Sequence, residues 1–290
     1  MRPTIVEWLR ESGHAWLAAL IPVPGLVYAI LFIAHALLFL RRAPSAGIGR
    51  DRAIELLLAG GAGAAIGTRL FYLVVSGRLF EVPVTALVDP AAGTASWGAY
   101  LGAMAGVAVY AAITRTSVWT PLDLGASCAG LGDVIGRWSC YLAGDDFGRV
   151  TDVAWGVRYP AGSLAHDSHV AHRLVDGAAT ASLPVHPFQL YLAANGLLVL
   201  LIVSAVWRRY RHRRGYTTAA FCVVYGGSRF WWELLRDPDA GGAAGLLSSS
   251  QWTCLALIAG GLLVWRRSRD RDESGPAPTS SARPLPGDAA

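Results

Sequence analysis

Seven mainly apolar stretches recur along the chain, near residues 17–40, 53–75, 95–114, 121–142, 187–207, 216–234 and 250–265. Each is on the order of 20 residues, the length an α-helix needs to cross a bilayer core. The pattern predicts an all-α polytopic membrane protein with about seven transmembrane helices, filling a domain over residues 17–267. Residues 143–186 are too polar to span and too long for a turn, which predicts a small external cap inside that domain. Residues 1–16 carry acids and lack an apolar core followed by a small-residue cleavage site, so they read as an N-terminal interfacial segment rather than a signal peptide. Residues 268–290, rich in Pro, Ser, Ala and Gly, read as a disordered cytoplasmic tail.

Composition supports the membrane class: 53% of the 290 residues are hydrophobic and only 16% are charged. All 25 basic residues are Arg, and their positions matter more than the net charge of +5. Arg41, Arg42, Arg50 and Arg52 follow the first stretch, Arg115 the third, Arg208, Arg209, Arg211, Arg213 and Arg214 the fifth, and Arg266, Arg267, Arg269 and Arg271 the seventh. The positive-inside rule makes those turns cytoplasmic, with the N-terminus outside and the C-terminus inside. Basic residues clustered this way set topology, and no nucleic-acid partner is expected. Cys128, Cys140, Cys222 and Cys254 lie within apolar stretches and form no CxxC or Cys/His pattern, so neither disulfides nor a metal site is expected.

Charges inside spans are costly and face a protein interior. Arg69, Arg137 and Arg229 lie roughly 14 to 16 residues past the inner ends of the second, fourth and sixth stretches, ~21 to 24 Å into a ~30 Å core. Three guanidinium groups at one depth repel one another and require anions. Asp133 and Glu233, one turn from Arg137 and Arg229, and Asp145 with Asp146 at the outer mouth could neutralise part of the cluster. Either the arginines pair internally and snorkel, or they meet an outside anion. At this depth that anion is a phospholipid phosphate, which suits the planar fork of Arg.

Other features carry weaker chemistry. Gly63/Gly67, Gly102/Gly106 and Gly132/Gly136 are small-xxx-small pairs that allow helices to approach closely. His166, His169 and His172 are spaced three apart in a polar segment and read as a solvated face, with a metal patch or a displaced base as the sharper alternative. His186, before Pro187, reads as an interfacial helix cap, and Cys140 as a packing residue or a thiol activated by Arg137.

The stretch GRWSCYLAGDDFGR at 136–149 resembles the signature GRxGNFxNGExxGR of the prolipoprotein diacylglyceryl transferases of bacterial inner membranes, matching at Gly136, Arg137, Gly144, Gly148 and Arg149, with Asp145 in place of Glu. GTRLFY (67–72), WGVRYP (155–160), HPFQLY (186–191), YGGSRFWWELLRDPD (225–239) and SSSQW (248–252) keep the family's order. The resemblance implies transfer of diacylglyceryl from phosphatidylglycerol to the thiol of a lipobox cysteine in a preprolipoprotein, with release of glycerol phosphate and no cofactor. It implies Arg137 and Arg229 as catalytic residues. Tyr28, Arg69, Asp145, Gly148, His186, Gln189, Tyr225 and Glu233 would bind substrate, with phosphatidylglycerol, the lipobox peptide and membrane lipids as partners.

Departures from the family pattern are local. Trp97 stands where the family has a histidine, Cys140 and Ala143 replace the signature asparagines, and Leu192 replaces a Glu. These changes remove a candidate base and leave the arginines. The alternative is therefore an inactive or repurposed paralogue that binds anionic phospholipid or lipoprotein. A transporter would predict inverted repeats and charges at the midplane, and the chain has no internal repeat.

Overall fold

The computed structural model describes residues 12–13, 23–82, 96–238, 243–244 and 246–273. Among these residues the regular elements are helical apart from one two-residue β-pair, with isolated antiparallel bridges at Gly148–Arg236, Val150–Val185, Val157–Val185 and Pro160–Ala181. Helix α1 (Val23–Arg42) opens with Pro24 in its first turn and ends at an Arg pair and a 3-10 turn whose Pro44 and left-handed Gly47 (φ 72°) stop propagation. Helices α2 (Arg50–Val75), α3 (Ser96–Ile113) and α4 (Trp119–Ala143) follow, then short α5 (Leu164–Ala171). The chain returns through α6 (Phe188–Tyr210), α7 (Tyr216–Trp232), a 3-10 turn at Glu233–Leu235, strands β1 (Ala243–Ala244) and β2 (Leu247–Ser248), and α8 (Ser249–Glu273).

A long helix lies in each of the seven apolar stretches. Among the described residues, three helical stretches are long and apolar enough to cross a membrane: Ala29–Ala46, Arg50–Val75 and Phe188–Tyr210. Gly98–Ile113 is a shorter apolar helix. The outward faces carry exposed Phe32, Leu58, Ile113, Leu201 and Leu263, while Asp123, Asp133, Gln189, Asn195, Arg229 and Glu233 are buried. A surface apolar outside and polar within suits hydrocarbon surroundings.

Helices α2 and α3 pack chiefly on each other, and α4, α6, α7 and α8 form the body against which α1 leans. Two of the three glycine pairs make the α2–α3 seam: a methyl group at Gly63, Gly67, Gly98, Gly102 or Gly106 would fall inside the backbone of the facing helix. The third pair does not act this way. Among the described residues, a Cβ at Gly132 would meet only Tyr100 Oη at 3.6 Å, and one at Gly136 only Leu31 Cδ2 at 3.7 Å, because that face of α4 looks toward side chains. The α4–α6 crossing instead uses Gly130 and Gly196, where an added Cβ would lie 2.6 Å from Gly196 O and from Asp133 Cβ respectively. Gly102→Val is expected to cost about 3 kcal/mol, since two backbones must separate to admit the side chain. Thermal unfolding in detergent tests this, with Gly132→Ala as the substitution that leaves the midpoint in place.

At the arginine-rich end, Arg42 donates to Ser127 O (2.5 Å) on α4 and to Ser204 Oγ (2.8 Å) on α6. Phe39, Ile48, Leu56, Leu124, Cys128 and Trp207 pack around this clasp. Asp123, a charge that interrupts the fourth apolar stretch, has a structural use here. Its carboxylate accepts from Gly215 N (2.6 Å), Thr218 N (2.8 Å) and Thr218 Oγ1 (2.7 Å), capping α7, whose own first residues supply no side-chain cap. Asp123→Ala is expected to lower stability by about 2 kcal/mol, with Asn retaining part of the cap. A shift of the melting midpoint smaller than that of an exposed Asp→Ala control would count against it.

Residues 144–187 fold on their own small core of Phe147, Tyr159, Ala165 and Val185. The histidine triplet departs from the solvated reading: His166 and His169 are buried, and His172 is exposed. The 179–183 segment has no continuous sheet partner, so side chains complete its backbone bonding. His166 Nε2 donates to Ala179 O (2.9 Å), and His169 Nδ1 accepts from Leu183 N (3.2 Å). No grouping of three metal-type ligands occurs among the described residues.

Helix α8 runs six residues past the boundary drawn at 267. The spacing of Arg266 with Asp270 gives opposite charges at i,i+4 that favour continued helix. Most of residues 1–16, everything after Glu273, and the side chains of Tyr28, Trp97 and Ala143 lie outside the described residues.

Candidate functional site

The last turns of α4 bring Asp133, Arg137 and Cys140 along one face, and Gly144, left-handed at φ 72°, ends the helix so that Asp145 and Asp146 double back. The loop is clamped at Gly148. Its N–H donates to His186 O (3.2 Å), and Arg149 N–H donates to Leu235 O (2.9 Å). A Cβ at Gly148 would lie 2.7 Å from His186 Cβ and 2.9 Å from Leu235 O, so only glycine fits between the start of α6 and the end of α7.

This clamp brings six charges into one chain of ion pairs. Arg137 Nε meets Asp133 Oδ1 at 3.1 Å, and its Nη1 donates to Asp146 Oδ2 at 2.5 Å. The other Asp146 oxygen, Oδ1, lies 2.5 Å from Arg236 Nη2. Arg236 Nη1 reaches Glu233 Oε1 at 3.2 Å, and Glu233 Oε2 pairs with Arg229 Nη1. Ser248 Oγ also donates to Glu233 Oε1 (3.0 Å), and Arg229 lies over the Phe188 ring at 5.3 Å. Three acids balance three arginines, which lowers the cost of holding them together away from water.

The network answers the question of mutual repulsion mainly from within. Its third arginine is Arg236, which sequence reasoning did not single out: it stands in extended backbone just past the 3-10 turn that follows α7. Arg69 is buried on α2. The guanidinium groups differ in exposure. Arg229 is 5% exposed and the Arg137 side chain 21%, and Arg137 Nη2 has no hydrogen-bond partner among the described residues. Arg137 is therefore the guanidinium that an outside anion reaches most readily.

Gln189 is fully buried at the start of α6 and donates from Nε2 to Asp145 O (2.5 Å), leaving its Oε1 without a partner among the described residues. Asp145 Oδ1 is likewise buried and unpartnered there. Burial pushes the Asp145 carboxyl above the usual range, a hydrogen bond from Cys140 opposes this, and the neighbouring Asp146 charge adds to it. The carboxyl thus keeps its proton to higher pH than an ordinary aspartate. Such orphaned atoms are groups that a polar ligand could satisfy. Tyr225 is buried within the fields of Asp133, Arg137 and Arg229 and stacks on Phe221.

His186 holds a junction. Its carbonyl and amide bond the Gly148–Arg149 backbone, and its Nδ1 lies 3.2 Å from Tyr191 Oη, which accepts from Trp155 Nε1 at 2.6 Å. The structure brings together Arg137, Arg229, Glu233, Asp145, Gly148, His186 and Gln189 around one loop. Leu192, fully buried, adds no charge.

Comparisons with known proteins agree on one family. Residues 19–267 match the family model described as prolipoprotein diacylglyceryl transferase. The chain is 30% identical over 255 residues to the phosphatidylglycerol–prolipoprotein diacylglyceryl transferase of Aliivibrio salmonicida, covering 85% of this chain and 83% of the relative. It is 32% identical over 254 residues to that of Aromatoleum aromaticum, covering 82% and 87%. It is 26% identical over 259 residues to phosphatidylglycerol–prolipoprotein diacylglyceryl transferase 2 of Clostridium perfringens, covering 87% and 93%.

Proposed function

Because the chain belongs to the prolipoprotein diacylglyceryl transferase family, we propose that it transfers diacylglyceryl from phosphatidylglycerol to a lipobox cysteine thiol of a preprolipoprotein. The single observation that carries this reading is Arg137: a guanidinium inside an apolar bundle, held by two carboxylates, with one donor nitrogen uncommitted among the described residues. The enzyme crosses a bacterial inner membrane seven times, N-terminus outside and C-terminus cytoplasmic, with residues 143–186 as its external cap. Two observations support this topology: the sidedness of the arginine-rich turns and the helix within each apolar stretch.

In the reaction, the cysteine sulfur attacks the diacylglyceryl carbon that is bonded to the phosphate oxygen. A sulfur–carbon bond forms, the carbon–oxygen bond breaks, and its electron pair stays on the phosphate oxygen, which leaves as glycerol phosphate. The thiol proton passes to a base. The developing charge on phosphate falls to Arg137, assisted by Arg236 and Arg229 in a water-poor site. Gln189 and Asp145, with their orphaned oxygens, receive polar groups of the lipid or peptide. Tyr225 lines the same interior, and Arg69 completes the lipid site from α2.

A second reading is a paralogue that binds anionic lipid without transfer. Trp97, Cys140 and Ala143 favour it, because they stand where the family signature has histidine and asparagines. Reconstituting the protein with phosphatidylglycerol and a lipobox peptide separates the two. Transfer adds one diacylglyceryl mass to the peptide and releases equimolar glycerol phosphate. A folded, inserted protein that retains the lipid yet leaves the peptide unmodified would establish the binder instead.

A further inference from the structure

Asp146 sits in an unusual place for a loop aspartate. Its two carboxylate oxygens each face a different arginine at 2.5 Å: Oδ2 accepts a hydrogen bond from Arg137 Nη1, and Oδ1 makes a charge contact with Arg236 Nη2 without hydrogen-bond alignment. A phosphate group spans two guanidinium groups in the same manner, one oxygen to each. The backbone is bent to make this possible: Asp146 has φ 52°, in the left-handed region that a side chain enters at a cost. The loop on either side is fixed, by Gly144 at the helix end and by Gly148 between His186 and Leu235. Rotation about its own side-chain bonds can carry the carboxylate out of this position without a change in the clamped backbone.

We propose that the Asp146 carboxylate is a resident counter-anion that occupies the phosphate seat between Arg137 and Arg236 and is exchanged for the lipid phosphate during each turnover. This rests on the transferase reading for the identity of the lipid; the seat itself rests on the ion pairs. One monoanion replaces another, so the arginines stay neutralised before, during and after binding, and the bundle never holds them uncompensated. Arg236 thereby becomes a substrate-binding residue alongside Arg137. After the carbon–oxygen bond breaks, the returning carboxylate displaces glycerol phosphate. Asp146 restrains binding and promotes product release.

The arithmetic is that of a self-occupied site. If the carboxylate fills the seat about nine-tenths of the time, apparent anion affinity is about tenfold below the intrinsic value. Asp146→Asn and Asp146→Gly both remove the charge, and both residues tolerate the left-handed backbone, so each variant is compatible with the loop. The probes are inorganic phosphate with the full-length protein in detergent, and nanodiscs of phosphatidylcholine with or without phosphatidylglycerol. Both variants are expected to bind inorganic phosphate about tenfold more tightly by thermal shift, with a similar fall in KM for phosphatidylglycerol and stronger inhibition by glycerol phosphate. Adding Arg236→Gln should erase the gain.

Unchanged or weaker phosphate binding in both variants overturns the proposal, as does a gain that survives loss of Arg236. A gain confined to inorganic phosphate, with phosphatidylglycerol nanodiscs unaffected, rejects lipid phosphate as the occupant. If the parent protein never transfers diacylglyceryl but the variants still gain phosphate affinity, the seat stands and the transferase reading falls. If transfer is robust and the variants gain nothing, the reverse holds.

Discussion

Arg137→Ala is expected to reduce diacylglyceryl transfer by about 10²–10³-fold at saturating phosphatidylglycerol, the loss seen when one preorganised donor to a developing anion is removed. Two effects act in the same direction. The donor nitrogen that has no other described partner disappears, and Asp133 and Asp146 lose their shared cation. The carboxylates then repel the phosphate they had helped to place. Arg137→Lys restores charge but not the fork that serves Asp133 and Asp146 at once, so it should remain about tenfold below the parent. Single-turnover rates per folded protein, read by peptide mass, measure both. A rate within threefold of the parent for Arg137→Ala would remove this arginine from the chemistry.

Glu233→Ala is expected to cost about 3–5 kcal/mol of stability, the penalty for leaving a buried ion unpaired. Glu233 is buried, pairs with both Arg229 and Arg236, and accepts from Ser248. Arg229 has no second carboxylate among the described residues, and the Phe188 face beneath it compensates little of the desolvation. Removing both charges together, as Glu233→Leu with Arg229→Met, should recover much of the loss, because a buried pair adds little over apolar packing. Thermal denaturation of the single and double variants gives the coupling. Simple additivity would show that the two side chains do not depend on each other.

The parts of this site that are local in the chain are legible in the sequence itself. Arg137 with Asp133 and Arg229 with Glu233 are each four residues apart on a helix, and charges in apolar runs announce themselves. The seven helices follow from length and hydropathy for the same reason. What escapes is whatever depends on a loop. Asp146 reaches Arg236, ninety positions away, only because a left-handed residue and a glycine clamp set its direction. Nothing in the spacing of Asp145 and Asp146 says which one turns inward to the arginines. Glycine spacing has the same limit: Gly132 and Gly136 match the pattern of Gly63 and Gly67, yet Gly130 and Gly196 make the crossing, because the face presented is a tertiary property. The histidines of α5 look polar by neighbourhood, and it is two backbone groups beyond them, Ala179 O and Leu183 N, that draw two of them in.

The i,i+4 placement of Asp133 with Arg137 and of Glu233 with Arg229 also bears on how such a chain is made. A helix that leaves the ribosome carrying a lone guanidinium would enter lipid with an unshielded charge, at a cost of several kcal/mol. Here each arginine-bearing segment brings its own carboxylate one turn away, so the pair is available as soon as that segment is helical. The two segments can partition into the bilayer in succession, each locally neutral, and the long-range link from Asp146 to Arg236 is needed only once both have arrived.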